Sequence, residues 1–223
     1  MTDILGNSLN MRYSLLLPEI LLGVTAVLVV FADLFSKELK IGYRLLPLLT
    51  VAGLVAALAA SLIWADTPDD FAMLVTVDAF TTFFRVIFCV VAIALVIGSH
   101  EYIEAHVNHP GEFFALLLLS TAGASFMAGA QDLLTAYLAV EVLSFSLYIA
   151  VSLGRNDPRS GEAALKYVLL GGVASAFLLY GLSFVYGVAG STQYSLIAEA
   201  MGGDISDVRG ALVLGLVLIV AGL

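Results

Sequence analysis

The run LLTAYLAVEVLSFSLYIAVSL, from Leu133 to Leu153, is apolar almost throughout and has a single carboxylate, Glu141, near its middle. About 20 such residues suffice for a helix to cross the hydrocarbon of a bilayer. Comparable runs occur at about 14–34, 45–65, 77–98, 113–130 and 163–187, and another begins near Ala211 and continues to Leu223. In hydrocarbon every backbone polar group must find a partner within the chain, so only helices and closed barrels can span it. Barrel strands would alternate apolar and polar residues over about ten positions. These runs show no alternation. The expected fold is therefore all-α: a polytopic transmembrane helix bundle of six full spans plus the start of a seventh, with antiparallel neighbours joined by short loops. Composition agrees. With 61% hydrophobic residues, 12% charged residues and a mean hydropathy of +1.04, the chain has more apolar surface than a water-soluble fold of this length can hide. The first run is too long for a signal-peptide core and opens a series of spans, which argues against a cleaved leader. The last run is too short to span, so the sequence is expected to be an N-terminal part cut inside its seventh helix.

The formal net charge of −9 and the lack of a basic patch exclude nucleic acid as a partner. The one cysteine, Cys89, permits no disulfide within the chain. No glycine-rich nucleotide loop, CxxC pair, GxSxG elbow or internal repeat is present. Loop cations suggest an orientation. With the N-terminus outside, the inner loops hold Lys37, Lys40, Arg44, Arg155 and Arg159, whereas the outer segments hold Arg12, Arg209 and the acids Asp66, Asp69 and Asp70. This bias favours an N-terminus outside. The segment SHEYIEAHVNHPGE contains His100, His106 and His109 with Glu101, Glu104 and Glu112. It reads either as a metal site or as a polar interfacial loop; the loop is preferred and no metal is expected, because no recognised ligand spacing such as HExxH occurs.

Three ionisable residues lie well inside the runs: Arg85, Glu141 and Lys166. Glu19, Asp33 and Asp78 are nearer the ends, where reaching the interface is cheap. Glu141 lies ~13 Å from one end of its run and ~18 Å from the other, beyond the reach of a glutamate stem. A central charge costs roughly 2.5–3.5 kcal/mol on insertion scales, so it requires a partner, a wet cavity or a proton. Tyr137, Ser144 and Tyr148 share its face and form a stripe of hydroxyls. The carboxyl is either a proton-exchanging group or a permanently protonated link between helices. Lys166 follows Glu162 by four residues, the favoured order for an ion pair on a helix, so it is either an interfacial snorkelling lysine or a functional charge. Gly171, Gly172 and Ser175, one to two turns deeper, would admit a close helix neighbour. Arg85 has Asp78 as its only candidate partner in its own helix, and it reads either as a snorkelling arginine or as a functional one.

The stretch from Asp132 to Thr192 contains D-L-L-T-A-Y-L-A-V-E, then E-A-A-L-K-Y-V-L-L-G, L-L-Y-G and Y-G-V-A-G-S-T. It resembles the antiporter-like membrane subunits of respiratory complex I, with subunit N, the counterpart of mitochondrial subunit 2, as the nearest pattern. L-P-E-I and V-D-A-F-T-T-F-F-R-V-I-F agree more loosely. The resemblance implies about fourteen spans in the whole protein, with two inverted five-helix repeats that each form half a proton channel. It divides this chain into an N-terminal three-helix region, residues 1–112, and the first part of the antiporter-type transmembrane domain, residues 113–223. Glu141 then matches the family's acidic residue on the fifth helix and Lys166 a lysine on the sixth. A further lysine on a broken seventh helix falls at about this chain's end, and none follows Lys166. Tyr137, Ser144, Arg85 and Glu162 are expected in supporting roles. NADH, FMN, iron–sulfur clusters and quinone are expected on other subunits. The implied function is proton translocation within an NADH–quinone oxidoreductase of the inner (plasma) membrane, with other membrane subunits and the lipid bilayer as partners and protons as cargo. The alternative is a subunit of a multi-subunit Mrp-type cation/proton antiporter.

Overall fold

The computed structural model describes residues 13–39, 45–63, 69–71, 74–154, 157–203 and 207–223, excepting the side chains of 36–39 and of 69 and 70. A short 3-10 turn, Tyr13–Leu16, leads into α1 (Leu17–Leu39), followed by α2 (Leu45–Ile63). A small hairpin comes next, β1 (Asp69–Phe71) and β2 (Val75–Val77), antiparallel with Asp69 opposite Val77. The chain continues as α3 (Ala79–His106), α4 (Pro110–Gly129), α5 (Leu133–Ser152), α6 (Pro158–Ala189), α7 (Tyr194–Met201) and α8 (Arg209–Gly222). Six of these segments are long and apolar enough to cross a membrane, making this a multi-pass membrane protein.

Local chemistry explains the helix ends. Pro110 and Pro158 open α4 and α6, where a missing N–H costs nothing. Asp78, Asp132 and Asp157 accept hydrogen bonds from the first backbone N–H groups of α3, α5 and α6. Gly190 ends α6 in the left-handed conformation, φ 69°, which a side chain would oppose.

Two differences from the sequence reading stand out. The third span continues to His106, so His100 and His106 are on α3 and only His109 stands in the turn before α4. The segment expected to be an interfacial loop is thus mostly helix, because no proline or glycine interrupts it between Ser99 and Val107. The hairpin and the short α7 were also unforeseen. The hairpin is too short to carry a period-two signal, and it is held by tertiary pairing: Gln131 N–H donates to Leu74 O at 2.9 Å, and Val75 bridges to Ala130.

α4 is the central helix, packed against α1, α2, α3 and α5. Half of its apolar window is buried, against 17% for α5 and for α6, because its middle, STAGAS, is small enough to let neighbours approach closely. Leu22, Leu54, Val96, Phe114 and Leu118 fill the core among α1 to α4. α6 packs on α5, α7 and α8 around a second cluster of Val185, Ile197 and Leu212. Loops pair end by end. Val107 bridges to Gly154 at one end; at the other, the hairpin end, Leu133 N–H donates to Thr192 O at 2.9 Å and Tyr194 N–H to Gln131 O at 3.1 Å.

Asp78 lies outside the spans. The Thr81 N–H, at 2.8 Å, is the chief cause holding its carboxyl below the ordinary aspartate value of 3.8. A depressed value in the folded state means that the cap contributes fully above that range and fades as pH falls through the folded value. Asp78→Ala should lower stability by ~1 kcal/mol, and Asp78→Asn should retain most of the cap. Thermal unfolding of the two variants at neutral and acid pH checks both the size and the sign.

Candidate functional site

Hydroxyls inside the spans are mostly satisfied within their own helix. Thr25 donates to Leu21 O at 2.7 Å, Thr50 to Leu46 O at 2.8 Å, Ser61 to Ala57 O at 2.9 Å and Ser146 to Val142 O at 2.7 Å. Hydrocarbon offers no alternative partner, so this is the expected pattern. Against it, the buried side-chain atoms without a hydrogen bond among the described residues fall at two places. One is Glu141, through Oε1. The other is the Arg85–Glu19 pair, through Nε and both carboxylate oxygens; the Thr82 hydroxyl, one turn before Arg85 on α3, also has none.

The first site is built on α5. Asp132 caps this helix by accepting from Leu134 N–H at 2.8 Å and Thr135 N–H at 3.0 Å, while Thr192, in the turn after α6, donates to its other oxygen. That double hold fixes where α5 begins and hence how deep Glu141 sits. Burial and the neighbouring Asp132 carboxylate together push the Tyr194 hydroxyl up in the same turn, outside the spans. Glu141 is half-buried, and the Tyr137 hydroxyl one turn earlier engages its carboxyl. Ser144 is half-buried on the same face. Tyr148, two turns on, is buried against α6: its ring meets Tyr167 edge-on at 4.6 Å, and a Cβ at Gly171 would strike its hydroxyl. On the other side of α5, Gly123 of α4 abuts the backbone of Ala139 and Leu143, the turns that flank Glu141.

That approach gives a prediction. A Cβ at Gly123 would lie 2.8 Å from Leu143 N and 2.9 Å from Ala139 O. Backbone atoms cannot swing aside, so α4 and α5 must separate. Gly123→Leu should destabilise the protein by ~1–3 kcal/mol, the usual cost of overpacking, whereas Gly172→Ala, where nothing stands within 4 Å, should be neutral. Thermal stability of the two variants, compared side by side, is the check.

The structure does not bring Lys166 to Glu141. Lys166 Nζ pairs with Glu162 at 2.5 Å, and the two side chains are 69% and 64% exposed on this chain. The expected close neighbour is present at Gly171 alone of the two glycines, and it does not shield the lysine.

The second site corrects the reading of Arg85 and Glu19. Arg85 does not snorkel and does not pair with Asp78, which is occupied as the α3 cap. Its side chain is 2% exposed, with Nη2 2.7 Å from Glu19 Oε1, a residue expected to reach the interface but 3% exposed instead. The approach lies off the line a hydrogen bond requires. Nη2 also donates to Leu15 O at 3.3 Å. The signal for this pair was available. Spans one and three run in the same direction, and Glu19 and Arg85 each lie six residues after their span's first residue, Tyr13 and Ala79; equal depth on parallel spans places them level. Asp33, also assigned to a span end, is buried, 3.7 Å from His109 Nδ1. No group of three or more His, Cys, Asp or Glu side chains suited to a metal occurs among the described residues. Lys40, Arg44, Asp66 and Arg155, and the side chains of Lys37, Asp69 and Asp70, lie outside what the structure describes.

Residues 130–223 match the family model described as NADH:quinone oxidoreductase/Mrp antiporter, TM. NADH-quinone oxidoreductase subunit N of Dehalococcoides mccartyi is 36% identical over 216 residues, 94% of this chain and 44% of that protein. The chain is thus similar over almost its whole length to subunit N of an NADH-quinone oxidoreductase. NAD(P)H-quinone oxidoreductase subunit 2 of Synechococcus elongatus is 35% identical over 224 residues, 99% of this chain and 42% of that protein. The chain thus spans under half the length of these curated relatives. Among solved structures, a chain of respiratory complex I from Thermus thermophilus superposes with a TM-score of 0.70 at 27% identity, covering 92% of this chain and 42% of that one. The Mrp complex from Dietzia sp. gives a TM-score of 0.68 at 20% identity, covering 95% of this chain and 40% of that one, a likeness of fold. Family members with these names are subunits of larger membrane complexes, and the exposed apolar faces of α5 and α6 are suited to contact lipid or neighbouring subunits.

Proposed function

We propose that this chain contributes to a proton-translocating membrane subunit of an NADH–quinone oxidoreductase, with Glu141 as the group that takes up and releases the proton in mid-membrane. The observation that carries the reading is the Glu141 carboxyl, held at depth by a capped helix with one oxygen buried and unpartnered. Ionised, such a group requires a cation; protonated, it is tolerable in a dry bundle. Tyr137 and Ser144 offer hydroxyls along which a proton could be handed. Lys166, paired with Glu162, supplies a mobile cation whose exchange of partners would change the energy of the ionised Glu141. NADH, FMN, iron–sulfur clusters and quinone would belong to the other subunits. Support comes from the similarity, over almost all of this chain, to proteins named for quinone oxidoreductases, which weighs more than the fold-level likeness to the Mrp complex.

Affinity purification of the full-length protein from its native membrane tests this. NADH–quinone reductase activity, with flavin and iron–sulfur absorbance, should copurify. Copurification with antiporter subunits and no redox centre would return the reading to the Mrp type. The N-terminus is placed outside on the cation bias, so cysteines introduced at 66–70 should label from the outer face of intact cells. Labelling from the cytoplasmic face alone would reverse the orientation.

A further inference from the structure

We propose that Glu19, Arg85 and Thr82 enclose a bound water and form a second proton-holding site, in the first three spans and separate from Glu141. Four buried side-chain atoms there lack a hydrogen bond: Glu19 Oε1 and Oε2, Arg85 Nε and Thr82 Oγ1. Arg85 and Thr82 are three residues apart on α3 and so share a face. Glu19 meets that face across the bundle, at 2.7 Å from Nη2. The two Glu19 oxygens and the Arg85 Nε–H at the ion pair, with the Thr82 hydroxyl one turn earlier on the same helix face, supply two to four polar partners of the kind that hold an internal water. Left dry, an ion pair taken so completely from solvent can forfeit more hydration than its own attraction returns.

Arg85 is also tied to the Leu15 carbonyl at 3.3 Å. Glu19 can therefore lose its charge without leaving the guanidinium unbonded. Proton uptake is a simple exchange: the carboxylate takes a proton from a hydronium arriving along the water and becomes a carboxylic acid, leaving water behind, and release is the reverse. The distance to be crossed is short, because six residues of rise place Glu19 ~9 Å from the hairpin end. The buried Cys89 thiol, one turn beyond Arg85, also lies within reach of both charges.

Only the pumping arm of the test rests on the proposed function. A high-resolution map of the intact wild-type complex should show water density bonded to Glu19 and Arg85 Nε; a closed site without density, in a map that resolves waters at other buried polar groups, overturns the proposal whatever the variants do. Removing one charge alone threatens folding, so the functional variant is the neutral double, Glu19→Gln with Arg85→Met. It should assemble to wild-type levels yet lose pumping per electron transferred. Wild-type pumping in the double would reduce the pair to a structural tie. Glu141→Gln, measured in the same vesicles, separates the two failures: if it too pumps normally, the proposed function has failed rather than this site.

Discussion

Glu141→Gln in the full-length protein, within its native complex, is expected to lose most proton pumping while complex content stays at the wild-type level. Glutamine keeps the shape of the side chain and introduces no buried charge, so assembly has no reason to fail. It cannot titrate. The energetic scale is sufficient: a cation brought within about 4 Å of a carboxylate changes its ionisation by ~4 kcal/mol at an effective dielectric of about 20, where 1.36 kcal/mol is roughly one decade in proton affinity. Transfer of one lysine between partners can thus load or unload the site. Glu141→Asp should retain part of the activity, because the carboxyl remains about one methylene displaced. Acidification of inverted vesicles respiring on the native donor, normalised to complex content by immunoblot, reads both variants.

Arg85→Met is expected to be the most damaging single change to stability. Methionine fits the volume of the arginine stem, but it leaves the Glu19 carboxylate, 3% exposed, with no counter-charge. Breaking a buried pair from one side typically costs ~3–5 kcal/mol, a large part of the stability of any domain. Complex content should fall sharply, and the thermal transition of what remains should move down. Adding Glu19→Gln should restore both, since two neutral side chains of similar volume replace the pair. Wild-type content in the single variant would mean that Glu19 is already neutral.

The sequence made the spans legible because length and apolarity decide them in hydrocarbon, and the depth of Glu141 followed from counting along one helix. Relations between helices were less accessible. Along its own helix Arg85 has only Asp78 as a candidate partner, whereas its partner in the fold is Glu19, more than sixty positions away and level with it only once the bundle is threaded. Glu19 was misjudged because a position near a span end was equated with access to the interface, and the α1 to α4 packing closes that access. Lys166 went the other way: glycines deeper in α6 suggested shelter, but Gly171 is filled by Tyr148 and the lysine remains exposed on this chain. The hairpin, held by Gln131 and Ala130 of another connection, could not be read from three-residue strands.

The proposed function requires the Glu141 carboxyl to change protonation in mid-membrane during turnover. Infrared difference spectra of the intact complex, recorded between oxidised and NADH-reduced states, observe this directly through the carbonyl stretch of a protonated carboxylic acid. A carboxyl band is expected that shifts or disappears on reduction, moves when glutamate is labelled with heavy carbon, and is missing from Glu141→Gln. A Glu141→Gln spectrum identical to wild type throughout the carboxyl region would contradict it.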